Sequence, residues 1–193
     1  MSLTNIAENK FLDHLVGKTA YTMPTLYVGY SKADPGEDGS GLDEPSGGGY
    51  ARKVTAGADW NAASAGAIDN VNPITFATAT GVQGDIPFFA FFDAISGGNL
   101  LASGPITTGE SAWVAATVTA LDDVVRPTAA ENGFYYKCTT AGTTHASIEP
   151  TWPTTHGGTV GDGTVTWTCY AAKTISNGDT PNFPAGVLDI TLD

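Results

Sequence analysis

Between Leu3 and Val16 the apolar residues return every third or fourth position. Leu3, Ala7, Phe11 and Leu15 make one row, Ile6, Leu12 and Val16 widen it, and Asn5, Glu8, Asn9 and Asp13 fall opposite. That period predicts an amphipathic helix of about three to four turns. Thr4 is placed to cap its start and Gly17 to end it. It is the one helix that the pattern supports.

Beyond it the period drops to two. Thr25 to Ser31, Ile74 to Thr80 and Pro87 to Ala94 read as strands, with glycine- and proline-rich turns between them. In the closing VLDITLD, Val187, Asp189 and Thr191 share one face while Leu188, Ile190 and Leu192 share the other. Turn signals at spacings of roughly 8–12 residues argue for an antiparallel sandwich or barrel. The middle of the chain has a strand rhythm of its own: VTALDDVVRP, GFYYKCTTAG and GTVTWTCYA. It also holds three tryptophans and both cysteines. Removing it would join Thr107-Thr108 to Lys173-Thr174 as an ordinary strand-turn-strand. The fold expected is therefore mainly β. An antiparallel sandwich or barrel-like outer domain (1–109 plus 173–193), with one short N-terminal helix, carries a small inserted β-module (110–172).

Composition narrows the function classes. The chain has 193 residues, 15% charged, with a net charge of −12. A surface of that sign repels phosphate backbones, so no nucleic-acid partner is expected. No run reaches the roughly 18 apolar residues of a membrane helix. The opening MSLTNIAENKFLDHL lacks the basic start and continuous apolar run of a secretory signal, so synthesis in the cytosol is expected. Cys138 and Cys169 are too few for a disulfide scaffold or a zinc site, and reduced buried thiols are the preferred reading.

Candidate chemistry is sparse. His14, His145 and His156 are scattered, and no nucleophile elbow, zincin pair, phosphate loop or dinucleotide fingerprint is present. Asp122 and Asp123 are neighbours on a predicted strand, so their carboxylates point to opposite faces and share no site. Neither an enzyme nor a cofactor is expected. Asp34, Glu37, Asp38, Asp43 and Glu44 fall within eleven residues and supply the oxygens that Ca²⁺ prefers. The EF-hand spacing is absent, and the preferred reading is a solvated, self-repelling loop with no metal.

Apolar side chains point to contacts instead. Phe88, Phe89, Phe91 and Phe92 put two rings on each face of one strand, and a sandwich sheet buries one face. The second face is expected to pack on the helix or on another subunit. Candidate interface residues are thus Leu3, Ala7, Phe11, Leu15, Phe89 and Phe91. Trp113 and Trp167 sit within strand patterns and read as core. Trp152, between Pro150 and Pro153, stands on a stiff loop, where it either lids the small core or offers a rigid ring to a sugar. Trp152 and Tyr135 are the candidate glycan contacts.

The opening segment, with its P-T-L-Y-V-G-Y-S strand, A-D-P-G-E-D-G-S-G loop and E-P-S-G-G-G-Y-A-R, resembles a family of short phage virion proteins often labelled tail fibre proteins. F-F-D-A-I-S-G-G-N-L-L-A-S-G and the closing N-G-D-T-P-N-F-P-A-G-V-L-D-I-T-L-D are similar to that family too. Within the insert, Trp113, Ala120 to Val125, Gly133 to Cys138 and Glu149 to Pro153 resemble the small chitin-binding modules of secreted hydrolases. Asp122 stands where those modules carry glycine. The first resemblance implies a non-enzymatic virion protein whose outer domain anchors it. With neither repeats nor heptads for a shaft, the placement expected is a capsid-surface decoration or cement protein, with the insert projecting outward. The alternative is a tail fibre or tail adaptor protein, and the alternative of another class is a carbohydrate-binding adhesion module. The partners implied are the major capsid protein or tail proteins of the same phage, further copies of the chain (a trimer) and glycans. Its place would be the virion surface, after synthesis in the host bacterial cytoplasm and release by lysis.

Overall fold

The computed structural model describes residues 2–106, 110–129 and 132–191. Thr107, Thr108 and Leu192, which figure in the sequence reading, lie outside the described residues. The chain is mainly β, with one α-helix and several antiparallel sheets, and no sheet among the described residues closes into a barrel. It divides into two compact units. The first comprises Met1–Gly84, Phe88–Gly104 and Ile175–Asp193, and the second Asp85–Pro87 and Pro105–Thr174.

The first unit is built on a five-stranded sheet in the order Ser2–Leu3, Leu100–Pro105, Phe88–Phe92, Leu26–Ser31, Lys53–Thr55. Alternation along FFAFF makes both of its faces apolar, and both are buried. On one face Phe89 and Phe91 lie beside Val28 and Tyr30, in register with them. Phe76 and Phe183 pack over this face, with ring centroids 4.8 Å (Tyr30–Phe76) and 5.9 Å (Phe76–Phe183) apart. The short ribbon of Ile74–Thr75 with Asn182–Phe183 carries Phe183, and Phe76 follows directly after its first strand.

Phe92 and Ala90 point to the other face, where Leu100, Tyr27 and Leu42 join them. Neither the helix nor a second subunit is needed to bury Phe92. The acidic loop folds back over it, and Arg52 lays its guanidinium 3.4 Å from the Phe92 ring centroid. Gly29, in the strand beneath, must lack a side chain. A Cβ there would run into the Tyr50 hydroxyl and come within 3.0 Å of the Phe92 ring.

The helix, Asn5–Leu15 (α1), starts where the sequence predicts. Thr4 caps it by accepting from the Ala7 N–H, and its hydroxyl also donates to the Leu100 carbonyl at 2.7 Å. At the far end the Val16, Gly17 and Lys18 amides close onto the Leu12, His14 and Asp13 carbonyls. Leu3 is not helical, contrary to the expected row. It pairs with Ala102 at the sheet edge, because the chain before the cap extends to hydrogen-bond there.

The second unit is a four-stranded antiparallel sheet in the order Val124–Val125, Phe134–Thr140, Val165–Ala171, Thr159–Asp162. Its two long strands alternate, with a register shift between Cys138 and Thr140. Phe134, Tyr136, Cys138, Val165, Trp167, Cys169 and Ala171 face a core that Trp113 completes. Tyr135, Lys137, Thr166, Thr168 and Tyr170 face the opposite way.

Residues 85–87, expected in the outer domain, group with this second unit for visible reasons. Ile86 N–H donates to Lys173 O (2.8 Å), Ile106 N–H donates to Pro87 O (2.7 Å), and the Asp85 carboxylate takes the Thr174 hydroxyl (2.5 Å). Gly133, at φ +79, lies so close to Pro87 that a Cβ would overlap the Pro87 carbonyl.

Candidate functional site

The first unit has an apolar face that its own fold leaves open. Along α1 only Ala7 is buried, at 2% exposure. Leu12 is 58% exposed and Leu15 79%, and Phe11, Val16 and Met23 are also exposed. Beside the helix lies a pocket of about 410 Å³ whose lining is almost wholly apolar. Leu3, Ala7 and Phe11 line it together with Leu26, Phe91 and Ile190. Four expected interface residues thus keep company here. Leu3, Ala7 and Phe11 line the pocket, and Leu15 continues the same helical row past its edge.

Phe89 and Phe91, the other two, are buried in the core of their own unit, and Phe91 also lines the pocket. Tyr21 borders the pocket with its ring edge-on to Phe11 at 5.6 Å and the Lys10 ammonium 5.0 Å above it. Its hydroxyl is buried without a hydrogen-bond partner, and burial, then the nearby Asp93 charge, raises its pKa.

The acidic side chains of the loop Asp34 to Glu44 are drawn to partners within the fold. Glu44 grips Arg52 through two bonds, Nε to Oε1 at 2.8 Å and Nη2 to Oε2 at 2.5 Å, and also takes the Tyr50 hydroxyl. Burial, followed by that hydrogen bond, raises the Tyr50 pKa. Asp43 pairs with Lys32 at 3.1 Å. Asp34 and Asp38 turn back onto the Gly36 and Ser40 amides, and the Ser40 bond holds Asp38 below the usual carboxylate range. Glu37 lends its backbone carbonyl to the Asn5 N–H. The five residues diverge to separate partners, and among the described residues no three acidic, His or Cys side chains gather around a point. Nor is the loop merely solvated, since Arg52 and Leu42 bind it to the sheet.

In the second unit, Trp152 and Tyr135 occupy opposite faces of the sheet and make no common site. Trp152 packs inward, 4.2 Å from Tyr136 and 6.1 Å from Trp167 by ring centroids, and donates to Glu149 at 2.7 Å. Its loop is tied down by the Tyr136 hydroxyl donating to the Pro153 carbonyl. Tyr135 stands outward and stacks on Tyr170 (5.4 Å, 16°), with His156 edge-on to Tyr170 at 5.3 Å. Sequence reasoning missed Tyr170 and His156. The pairing of Tyr135 with Tyr170 follows from strand register, which no single stretch of sequence reveals.

It also missed Asp162, 4% exposed. Trp113 and Trp167 donate to its Oδ2 and the His145 amide donates to its Oδ1 at 2.7 Å.

The groups weighed for catalysis are occupied structurally. His14 accepts from the Tyr21 amide, His145 from the Ser147 and Ile148 amides, and His156 Nδ1 lies 3.2 Å from Asp85. Asp122 pairs with Lys137 at 2.7 Å and Asp123 accepts from the Ala120 amide. Both cysteines are free and buried, and burial pushes Cys169 up to about 11. Such a thiol stays protonated at neutral pH. No described helix is long and apolar enough to cross a membrane.

The family model for the podophage GP4 fiber I protein gp80 matches residues 2–121, and the chain belongs to that family of phage fibre structural proteins. The match takes in α1, the whole five-stranded sheet and the start of the second unit. It bears out the first resemblance and does not extend to the chitin-binding one. No curated protein matches the chain.

Proposed function

We propose that the protein is a non-enzymatic component of a phage tail fibre, held in the virion through its first unit. The observation that carries this reading is the family match over residues 2–121, whose description names a fibre and not a head protein. It favours the tail-fibre alternative over the capsid-decoration placement expected from the sequence. The exposed side of α1 and its pocket supply a physical means of attachment, since burying such a face against a neighbouring subunit stabilises the assembly. The test is gold-labelled antibody against the second unit, applied to intact particles. Label confined to the tail supports the reading, and label spread over the head returns the protein to the capsid surface.

A second activity is favoured by the outward face of the second unit. Tyr135, Tyr170 and His156 form an aromatic surface on which Asp122 is paired with Lys137 and Asp85 lies against His156. A neutral sugar suits it better than an acidic one, which the chain's charge of −12 opposes. Retention on immobilised neutral oligosaccharides, lost in Tyr170→Ala and kept in Trp152→Phe, would support this. Equal retention of all three proteins, or none by the parent, would reject it.

A further inference from the structure

We infer that Asp122 and Lys137 form the polar half of a sugar site on the outward face of the second unit, and that the site takes a neutral pyranose with two adjacent free hydroxyls. The inference rests on the reading of that face as a sugar surface, and names the groups that orient the ligand and the ligand's own chemistry.

Asp122 stands at φ +71, in the left-handed region. The Asp123 N–H donates to the Ala120 carbonyl at 3.3 Å, which closes a four-residue turn with Asp122 in third place. Leu121, in second place, is not at positive φ. Such a turn is of type II, and its third position favours glycine. An aspartate there carries a steric cost that glycine would not.

Stability does not account for the acid. Its side chain is 77% exposed, and that of its charged partner Lys137, at 2.7 Å, is 38% exposed. Ion pairs so open to water contribute little to folding. A left-handed residue kept without a gain in stability points to function.

The turn is fixed to the sheet that carries the aromatic face. The Asp122 N–H donates to the Cys138 carbonyl at 3.0 Å, and the Cys138 N–H donates to the Asp123 carbonyl at 2.8 Å. Tyr135 and Lys137 alternate along one strand and so share a face, opposite Tyr170 and Thr168 of the neighbouring strand. The hydrogen bond with Asp122, then the charge of Asp122, raise the Lys137 pKa, and the Tyr170 and Tyr135 hydroxyls add to the rise. The ammonium therefore stands beside the stacked pair.

The ion pair uses one N–H of the ammonium and one lone pair of the carboxylate, and leaves further donors and acceptors side by side. Adjacent hydroxyls of a pyranose meet that arrangement. One donates to Asp122 and the other accepts from Lys137, while the apolar side of the sugar ring lies on tyrosine. An acidic sugar would set its carboxylate against Asp122, and an O-methylated one has no hydroxyl to donate.

Retention of the purified full chain on immobilised oligosaccharides of glucose, galactose and mannose tests this, each in free and O-methylated form, together with melting temperatures. The parent is expected to be held by a free form and not by its methylated counterpart. Asp122→Gly should melt at or above the parent, because glycine suits the turn. It should nevertheless bind about tenfold more weakly, the loss that goes with a charged hydrogen bond. Lys137→Gln leaves the turn untouched and should weaken binding to a similar extent. Equal retention of the parent on methylated forms, unchanged retention in either variant, or an Asp122→Gly protein that melts below the parent would overturn the inference. The sugar reading would survive any of these so long as Tyr170→Ala still abolished retention. A parent held by none of the oligosaccharides would overturn both.

Discussion

Trp113 and Trp167 donate their indole N–H groups to the same carboxylate oxygen, Oδ2 of Asp162, at 2.7 and 2.9 Å. The two rings belong to segments more than fifty residues apart in the chain. One buried acid thus fixes both large rings of a core too small to hold them by packing alone. Asp162→Ala would strand two indole donors and the His145 amide. Each unsatisfied buried donor costs about 1–3 kcal/mol, so a loss of roughly 3 kcal/mol or more is expected in urea unfolding followed by tryptophan emission. Asp162→Asn should lose less, because its oxygen can still serve the indoles while its NH₂ faces the His145 N–H. A change within about 0.5 kcal/mol for the alanine variant, the range of an ordinary surface substitution, would show that the shared acceptor is not needed.

Arg52 holds the acidic loop on the sheet. Its guanidinium binds Glu44 at two points, donates to the Ala94 and Gly97 carbonyls at 2.8 and 2.7 Å, and covers Phe92. Arg52→Ala removes one partner of a mostly buried pair, for which about 3–5 kcal/mol is typical. Arg52→Lys keeps the charge and loses the planar fork, so it should also destabilise the protein. Limited proteolysis gives the independent readout. Cleavage between residues 33 and 48 should become fast in both variants, and a loop as resistant as the parent's would refute the clamp.

Glu149 makes the Trp152 loop sensitive to acid. Burial alone would raise its carboxyl, but hydrogen bonds from Thr128 and Trp152 outweigh burial and hold it below the ordinary value. A depressed folded pKa contributes stability above the unfolded value, and the contribution disappears as pH falls through the folded one. Trp152 emission should therefore change below about pH 4.3, the ordinary glutamate value, before the rest of the unit unfolds. Glu149→Gln should flatten that acid limb. An identical acid profile in both proteins would remove Glu149 as its cause.

The cysteines set an alkaline limit. Burial pushes Cys169 up to about 11 and raises Cys138 as well. A thiol whose folded pKa is raised contributes stability below its unfolded pKa and loses it as pH climbs toward the folded one. Melting temperature should fall between roughly pH 8.5, the free-thiol value, and the raised one. Cys169→Ala should lessen the fall. In the native protein a thiol reagent should find neither sulfur at neutral pH, and in denaturant both. Rapid native labelling would contradict the burial.

The sequence displayed most of this fold where one side chain period governs one element. The row Ala7, Phe11, Leu15 and the cap at Thr4 define α1, and the alternation in Phe134 to Cys138 and Val165 to Ala171 defines the inner sheet of the second unit. Legibility ended where a contact joins unlike segments. The stretch from Lys32 to Gly49 has the composition of a solvated loop, and nothing periodic links Glu44 to Arg52. Alternation places Tyr135 and Tyr136 on opposite faces, yet it does not say which of them Trp152 meets, because Trp152 stands on an irregular loop. The parity of FFAFF is equally plain, while the identity of the cover on its second face depends on a loop that no pattern describes.

The clamping of residues 85–87 into the second unit bears on how such a module could be exchanged between genomes. Its structural parts derive from two separate stretches of coding sequence, 85–87 and 105–174. Recombination confined to the longer stretch would deliver a newcomer without its short partner. The recipient's own Asp85 would then need to find a replacement for His156 and Thr174, and its Pro87 carbonyl would need an amide like that of Ile106 and a residue as small as Gly133 beside it. Wholesale replacement would thereby be restricted to donors that preserve these few matches, while point substitution on the outward strand positions leaves them untouched.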